Sequence, residues 1–261
     1  MSVTVTSNGM KTAYRLDGPE DAPVVMFSNS LMCNYTMWDS QVSDISSKYR
    51  ILRYDTRGHG GTDVTPGPYS IDQFVDDAHD LMQTIGITGI HFVGLSLGGL
   101  IGQRFATKYP GSLISAVLCD TGSFMPTKEA WSERIQIADS EGMGGIAEPM
   151  LTRWLTEEFR KRETPMVDKI RGMILGTSVD GFINCCKAIR ATDLTEQLGE
   201  ISTPTTVIYG AQDPLAGPSQ AVHEGIENSQ CIVINNAGHL PNIEQTEAFN
   251  SAVQDHLNRH A

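Results

Sequence analysis

The sequence predicts an α/β fold: a mostly parallel β-sheet covered by helices on both faces, with a helical cap inserted between two of its strands. Three observations carry this expectation. Short apolar, β-branched runs alternate with helix-length segments along most of the chain, as parallel strands and their crossovers do. One such run, Ile90-His91-Phe92-Val93, leads directly into Gly94-Leu95-Ser96-Leu97-Gly98 and then into a helix-forming stretch. The alternation stops between residues 125 and 196, where only helix-like pieces occur.

Taken in order, Met10-Lys11-Thr12-Ala13-Tyr14-Arg15-Leu16 reads as an early strand and Pro23-Val24-Val25-Met26-Phe27-Ser28 as a fully buried one. Arg50-Ile51-Leu52-Arg53-Tyr54-Asp55 is the third, ending in the turn Thr56-Arg57-Gly58-His59-Gly60. Ser70 is positioned to cap a helix running to about Ile85, with Asp72 in its first turn;. Residues 90–93 feed the serine turn, and strands at 115–119, 205–209 and 231–234 complete the set. A C-terminal helix begins near Pro241. Residues 1–124 and 197–261 then form the core and residues 125–196 the cap. The cap's Trp131, Trp154, Met143, Met150, Met166 and Met173 either line an apolar pocket or form the cap's own core.

The chemistry centres on Ser96. A serine between glycines on a tight strand-to-helix turn is held in a strained conformation, its hydroxyl projecting from the sheet near the positive end of the next helix. It lies beyond the carboxyl ends of the strands, where ligands of such sheets bind. A serine nucleophile needs a base, and the base needs an orienting acid. His239 follows the last strand in Asn235-Asn236-Ala237-Gly238-His239, so the chain delivers it to the same sheet edge. His59 precedes the nucleophile and reads instead as a structural hydrogen-bonding residue;. For the acid, Asp213 in Gly210-Ala211-Gln212-Asp213-Pro214 falls between Ser96 and His239 at a strand end. Asp120, after the neighbouring strand, is the alternative. Chain order favours Asp213. An oxyanion hole needs backbone donors; one is the N–H of Leu97, and the other comes from Asn29-Ser30-Leu31-Met32.

Bulk properties fit a soluble enzyme. The chain has 261 residues, 40% hydrophobic and 19% charged, with a formal net charge of −12. That charge argues against nucleic acid and against anionic membranes as partners. No signal peptide and no apolar run of membrane-spanning length is legible. The five cysteines (Cys33, Cys119, Cys185, Cys186, Cys231) lack C-x-x-C spacing and read as reduced thiols of a cytoplasmic protein.

Several segments resemble one family. Ser28-Asn29-Ser30-Leu31, Met37-Trp38, Leu52-Arg53-Tyr54-Asp55-Thr56-Arg57-Gly58-His59-Gly60, Gly67-Pro68-Tyr69 and Gly94-Leu95-Ser96-Leu97-Gly98-Gly99 look like the α/β-hydrolase superfamily. With Ala188-Ile189-Arg190-Ala191-Thr192-Asp193-Leu194 and Gly238-His239-Leu240-Pro241-Asn242-Ile243-Glu244-Gln245, they are similar to the 3-oxoadipate enol-lactonases. The resemblance covers nearly the whole chain. It implies the α/β-hydrolase fold, a Ser96–His239–Asp213 triad, an oxyanion hole of Leu31 and Leu97, and Trp131 approaching the substrate. It implies opening of a small lactone through an acyl-enzyme, with a small-molecule ester or lactone as partner and neither metal nor organic cofactor. Two departures bear on the substrate. Met32-Cys33 stands where the family usually has Gly-Thr, and Phe124 where relatives often place a basic residue. Arg134 or Arg153 then becomes the candidate for meeting a substrate carboxylate, and another small, uncharged ester or lactone is the alternative substrate.

Overall fold

Eight strands, β1 (Val3–Ser7), β2 (Met10–Asp17), β3 (Val24–Ser28), β4 (Arg50–Tyr54), β5 (Ile90–Leu95), β6 (Leu113–Cys119), β7 (Thr205–Gly210) and β8 (Gln230–Ile234), form one sheet. These come from a computed structural model that describes residues 3–125 and 127–261. The spatial order is β1-β2-β4-β3-β5-β6-β7-β8. β2 runs antiparallel to β1 and to β4, and every pairing from β4 to β8 is parallel.

β5, buried throughout, lies at the centre, as its mostly apolar sequence favours. β1 is an additional edge strand. Its Val-Thr alternation leaves most side chains exposed, so it lacks the apolar density that marks the central strands.

Helices α1 (Asp39–Ile45), α2 (Ile71–Thr84) and α3 (Leu97–Lys108) fall within the first part of the chain. Ser70 caps α2 as expected, its hydroxyl accepting from the Gln73 N–H at 3.1 Å. Between β6 and β7 the chain is helical: α4 (Lys128–Trp154), α5 (Glu157–Arg162), α6 (Thr164–Leu175) and α7 (Val179–Ala191). α4 is broken at Gly142, whose φ of 66° takes it out of helical geometry; a residue without Cβ reaches that region at little cost. Cys185 and Cys186 are buried thiols within α7.

α8 (Ala216–Gly225) precedes β8. The expected C-terminal helix is two pieces, α9 (Pro241–Glu244) and α10 (Thr246–Arg259), because Gln245 is non-helical at φ −133°, ψ 57°. No helix among the described residues is long and apolar enough to cross a membrane.

Candidate active site

Ser96 stands between β5 and α3 at φ 58°, ψ −109°, a strained region for a residue with a side chain, costing of order 1–3 kcal/mol. Its surroundings hold it there. The Ser96 N–H donates to the Cys119 carbonyl at 2.8 Å, and the Thr121 hydroxyl donates to the Ser96 carbonyl at 2.9 Å. The flanking glycines have a steric reason: a Cβ on Gly94 would collide with the Gly98 carbonyl, and one on Gly98 with the Ser28 carbonyl.

Asp213 lies in the turn after β7, where its own N–H donates to the Gly210 carbonyl at 3.0 Å. His239 lies in the loop after β8. Its Nδ1 is 3.1 Å and 3.0 Å from the two Asp213 carboxylate oxygens, which leaves Nε2 as the nitrogen available for proton transfer. Burial pushes the Asp213 carboxyl up. The His239 charge and hydrogen bond outweigh it and leave the group below the ordinary carboxylate range.

The histidine loop is tied to the helical segment. The His239 N–H donates to the Trp154 carbonyl at 2.7 Å, and the Trp154 ring stacks on the imidazole with centroids 5.8 Å apart. Glu244 clamps the same junction, accepting from the Gly238 N–H at 2.7 Å and from the Thr156 N–H and hydroxyl at 2.9 and 2.7 Å. Sequence reasoning gave Glu244 no role. Its partners lie 6 and 88 residues away in the chain, and the contact to Thr156 exists only once the helices are packed.

Ser96, Asp213 and His239 all line one cavity of about 280 Å³. This is at the small end for ligand pockets, about 300–1,000 Å³. Leu31, Met32, Met125, Met150, Ile189 and Leu215 make much of it apolar. The two halves of α4 contribute Trp131 and Arg134 from one side, and Arg153 and Trp154 from the other. The cavity thus brings together the sequence-predicted Trp131, Arg134 and Trp154. Phe124 does not line it; that side chain is 46% exposed. Met143 and Met173 are packed in the core.

Leu31 and Leu97 carry backbone N–H groups that donate to no described residue. Leu97, at the first position of α3, has no intrahelical acceptor. Met32, beside Leu31, has φ 63°, the left-handed region that glycine occupies without strain. His59 steadies the loop, its Nε2 accepting from the Met32 N–H at 3.0 Å. Nδ1 must then carry the ring proton, which it donates to the Arg57 carbonyl at 3.2 Å.

The Arg134 guanidinium lies over the Trp131 ring, 4.4 Å from its centroid, a cation–π arrangement. Neither Arg134 nor Arg153 forms an ion pair with any described residue. Burial, and then the neighbouring Arg153 charge, pull the Arg134 guanidinium below the ordinary arginine range.

The family model for the alpha/beta hydrolase fold matches residues 23–246. The chain belongs to the α/β-hydrolase family. Among curated relatives it is 36% identical over 258 residues to 3-oxoadipate enol-lactonase 2 of Acinetobacter baylyi, covering 98% of this chain and 96% of that one. Among solved structures it is similar to the enol-lactonase from Burkholderia xenovorans LB400, with 35% identity, a TM-score of 0.96, and coverage of 98% of this chain and 100% of that one. It is also similar to a thermophilic esterase from Thermogutta terrifontis, with 30% identity, a TM-score of 0.93, and full coverage of both chains. The α/β hydrolase is therefore an ester-hydrolysing enzyme with enol-lactonase-like sequence.

Proposed function

We propose that the enzyme opens 3-oxoadipate enol-lactone to 3-oxoadipate through a Ser96–His239–Asp213 triad, with residues 125–196 acting as a cap on the 1–124 and 197–261 core. One observation carries the reading. The cavity that holds Ser96 and His239 also holds Arg134, a half-buried cation with no ion-pair partner among the described residues. A small, mostly apolar cavity with a nucleophile in one wall and an unmatched cation in another suits a compact lactone bearing a carboxylate arm. The names of the enol-lactonase relatives support the same substrate.

In this mechanism Ser96 Oγ attacks the lactone carbonyl carbon while its proton passes to His239 Nε2. Asp213 holds the imidazole tautomer and stabilises the imidazolium. The backbone N–H groups of Leu31 and Leu97 receive the oxyanion, a role often worth about 3–4 kcal/mol per donor. The ring C–O bond then breaks, the enol oxygen takes the proton from His239, and the enol ketonises within the same acyl chain. Water attacks the acyl-enzyme with His239 as base, and Ser96 leaves with its proton restored.

The second reading is hydrolysis of another small, uncharged ester or lactone. Met32 favours it, since it brings a bulky side chain into the cavity beside Leu31. Steady-state kinetics on 3-oxoadipate enol-lactone, p-nitrophenyl acetate and a simple γ-lactone, with Ser96→Ala as control, separates the two. The proposal expects a far higher kcat/KM for the enol-lactone. Preference for the uncharged substrates would overturn it in favour of the second reading.

A further inference from the structure

Asp120 lies directly behind the triad acid and has no part in the mechanism above. It follows β6, fully buried, at φ 46°. Its backbone N–H donates to the Ile208 carbonyl at 2.9 Å, and its Oδ1 accepts from the Gly210 N–H at 2.9 Å. It therefore fastens the end of β7 from which the Asp213 turn springs. Its Oδ2 is buried and accepts from no donor among the described residues. Oxygen or nitrogen atoms of Asp120, Asp213 and His239 all lie within 4.8 Å of one another.

A buried carboxylate oxygen with no donor is costly, and more so beside a second carboxylate. One proton removes both penalties by turning Oδ2 into a donor aimed at the neighbouring anion. We propose that Asp120 is carried as the neutral carboxylic acid and donates a hydrogen bond from Oδ2 to Asp213, making it a positioning residue for the triad. This rests on the assignment of Asp213 as the triad acid. The electrostatics agree: burial first, and then the Asp213 charge, drive the Asp120 carboxyl well above the ordinary range, while Asp213 is held below it. Such a pair titrates as a unit. The other titratable groups facing Asp120 are His239 from the β8 loop, Glu244 from α9 and the adjacent Cys119, whose thiol burial also pushes well up.

The test compares Asp120→Asn with Asp120→Leu. An asparagine amide can accept from Gly210 and donate to Asp213, whereas leucine does neither. The infrared difference spectrum of wild type against D120N at neutral pH is expected to show loss of a protonated-carboxyl C=O band. D120N is expected to keep kcat/KM within a few-fold and to leave the acidic limb of its pH profile in place. D120L is expected to lose roughly ten- to hundredfold in kcat, the worth of one hydrogen bond to a charged group. Its acidic limb should move to higher pH, because an unshared Asp213 charge favours the imidazolium more.

Absence of the band, or a D120N limb displaced to lower pH as loss of an anion would cause, overturns the neutral-acid assignment. A D120L enzyme with wild-type turnover and profile overturns the positioning role. If D120L does not fold, the D120N band and profile still decide. Failure of the triad assignment is separately visible as activity retained in Ser96→Ala or in Asp213→Asn.

Discussion

His59→Phe makes a two-part perturbation whose size follows from the structure. The wild-type imidazole is 3% exposed and satisfies the Met32 N–H and the Arg57 carbonyl. Phenylalanine leaves both unmatched, at about 1–3 kcal/mol for each buried polar group at any pH. The second part depends on pH. Burial lowers the His59 pKa from 6.5 to about 4. Above pH 6.5 the ring is neutral in both folded and unfolded chains and contributes no pH dependence. As pH falls below that value the unfolded chain takes up a proton that the folded chain refuses until about pH 4, so stability is lost across this window. At pH 4.5 the wild type should have lost roughly 2–3 kcal/mol through this residue alone.

The variant has no such site. Its deficit relative to wild type should therefore shrink by roughly 2–3 kcal/mol between pH 7 and pH 4.5. Other shifted groups such as Asp55 and His256 titrate in both proteins and cancel. Urea denaturation of the two proteins at the two pH values measures the double difference. A deficit that stays constant with pH would refute the reasoning. So would a variant with undiminished kcat, since the Met32 N–H bond is what steadies the loop that presents Leu31.

Three further outcomes are expected. Asp213→Asn should lower turnover by about 10⁴-fold, the loss seen when the same substitution is made in the Ser-His-Asp template, with an unchanged thermal midpoint. Arg134→Leu should cost the carboxylate-bearing enol-lactone roughly ten- to hundredfold in kcat/KM and p-nitrophenyl acetate only a few-fold; an equal loss on both would remove Arg134 from carboxylate recognition. Gly98→Ala drives a Cβ into the Ser28 carbonyl and should destabilise the fold by about 1–3 kcal/mol while lowering kcat, as read by urea denaturation and steady-state assay.

Central strands were readable in the sequence because near-complete burial favours short runs rich in apolar and β-branched residues, and β3, β5, β6 and β7 have them. β1 escaped because an edge strand with exposed side chains needs no such run. The C-terminal helix was legible at its start but not at its break, since Gln245 is an ordinary helix former and its non-helical backbone comes from packing. At the site, the Ser96 turn, the histidine loop and the Asp213 turn were legible because each is a local pattern at a strand end. Glu244 and the Asp120–Asp213 contact were not, because they join segments distant in the chain. Phe124, close to the site in sequence, is 46% exposed, while its neighbour Met125 lines the cavity.

The most direct test of the central claim is intact-mass and peptide mapping after reaction with a small fluorophosphonate. A triad centred on Ser96 predicts a single adduct per chain on the Ser96 peptide, absent in Ser96→Ala and formed orders of magnitude more slowly in His239→Gln. Labelling at another residue, or labelling of Ser96→Ala at the wild-type rate, would contradict it.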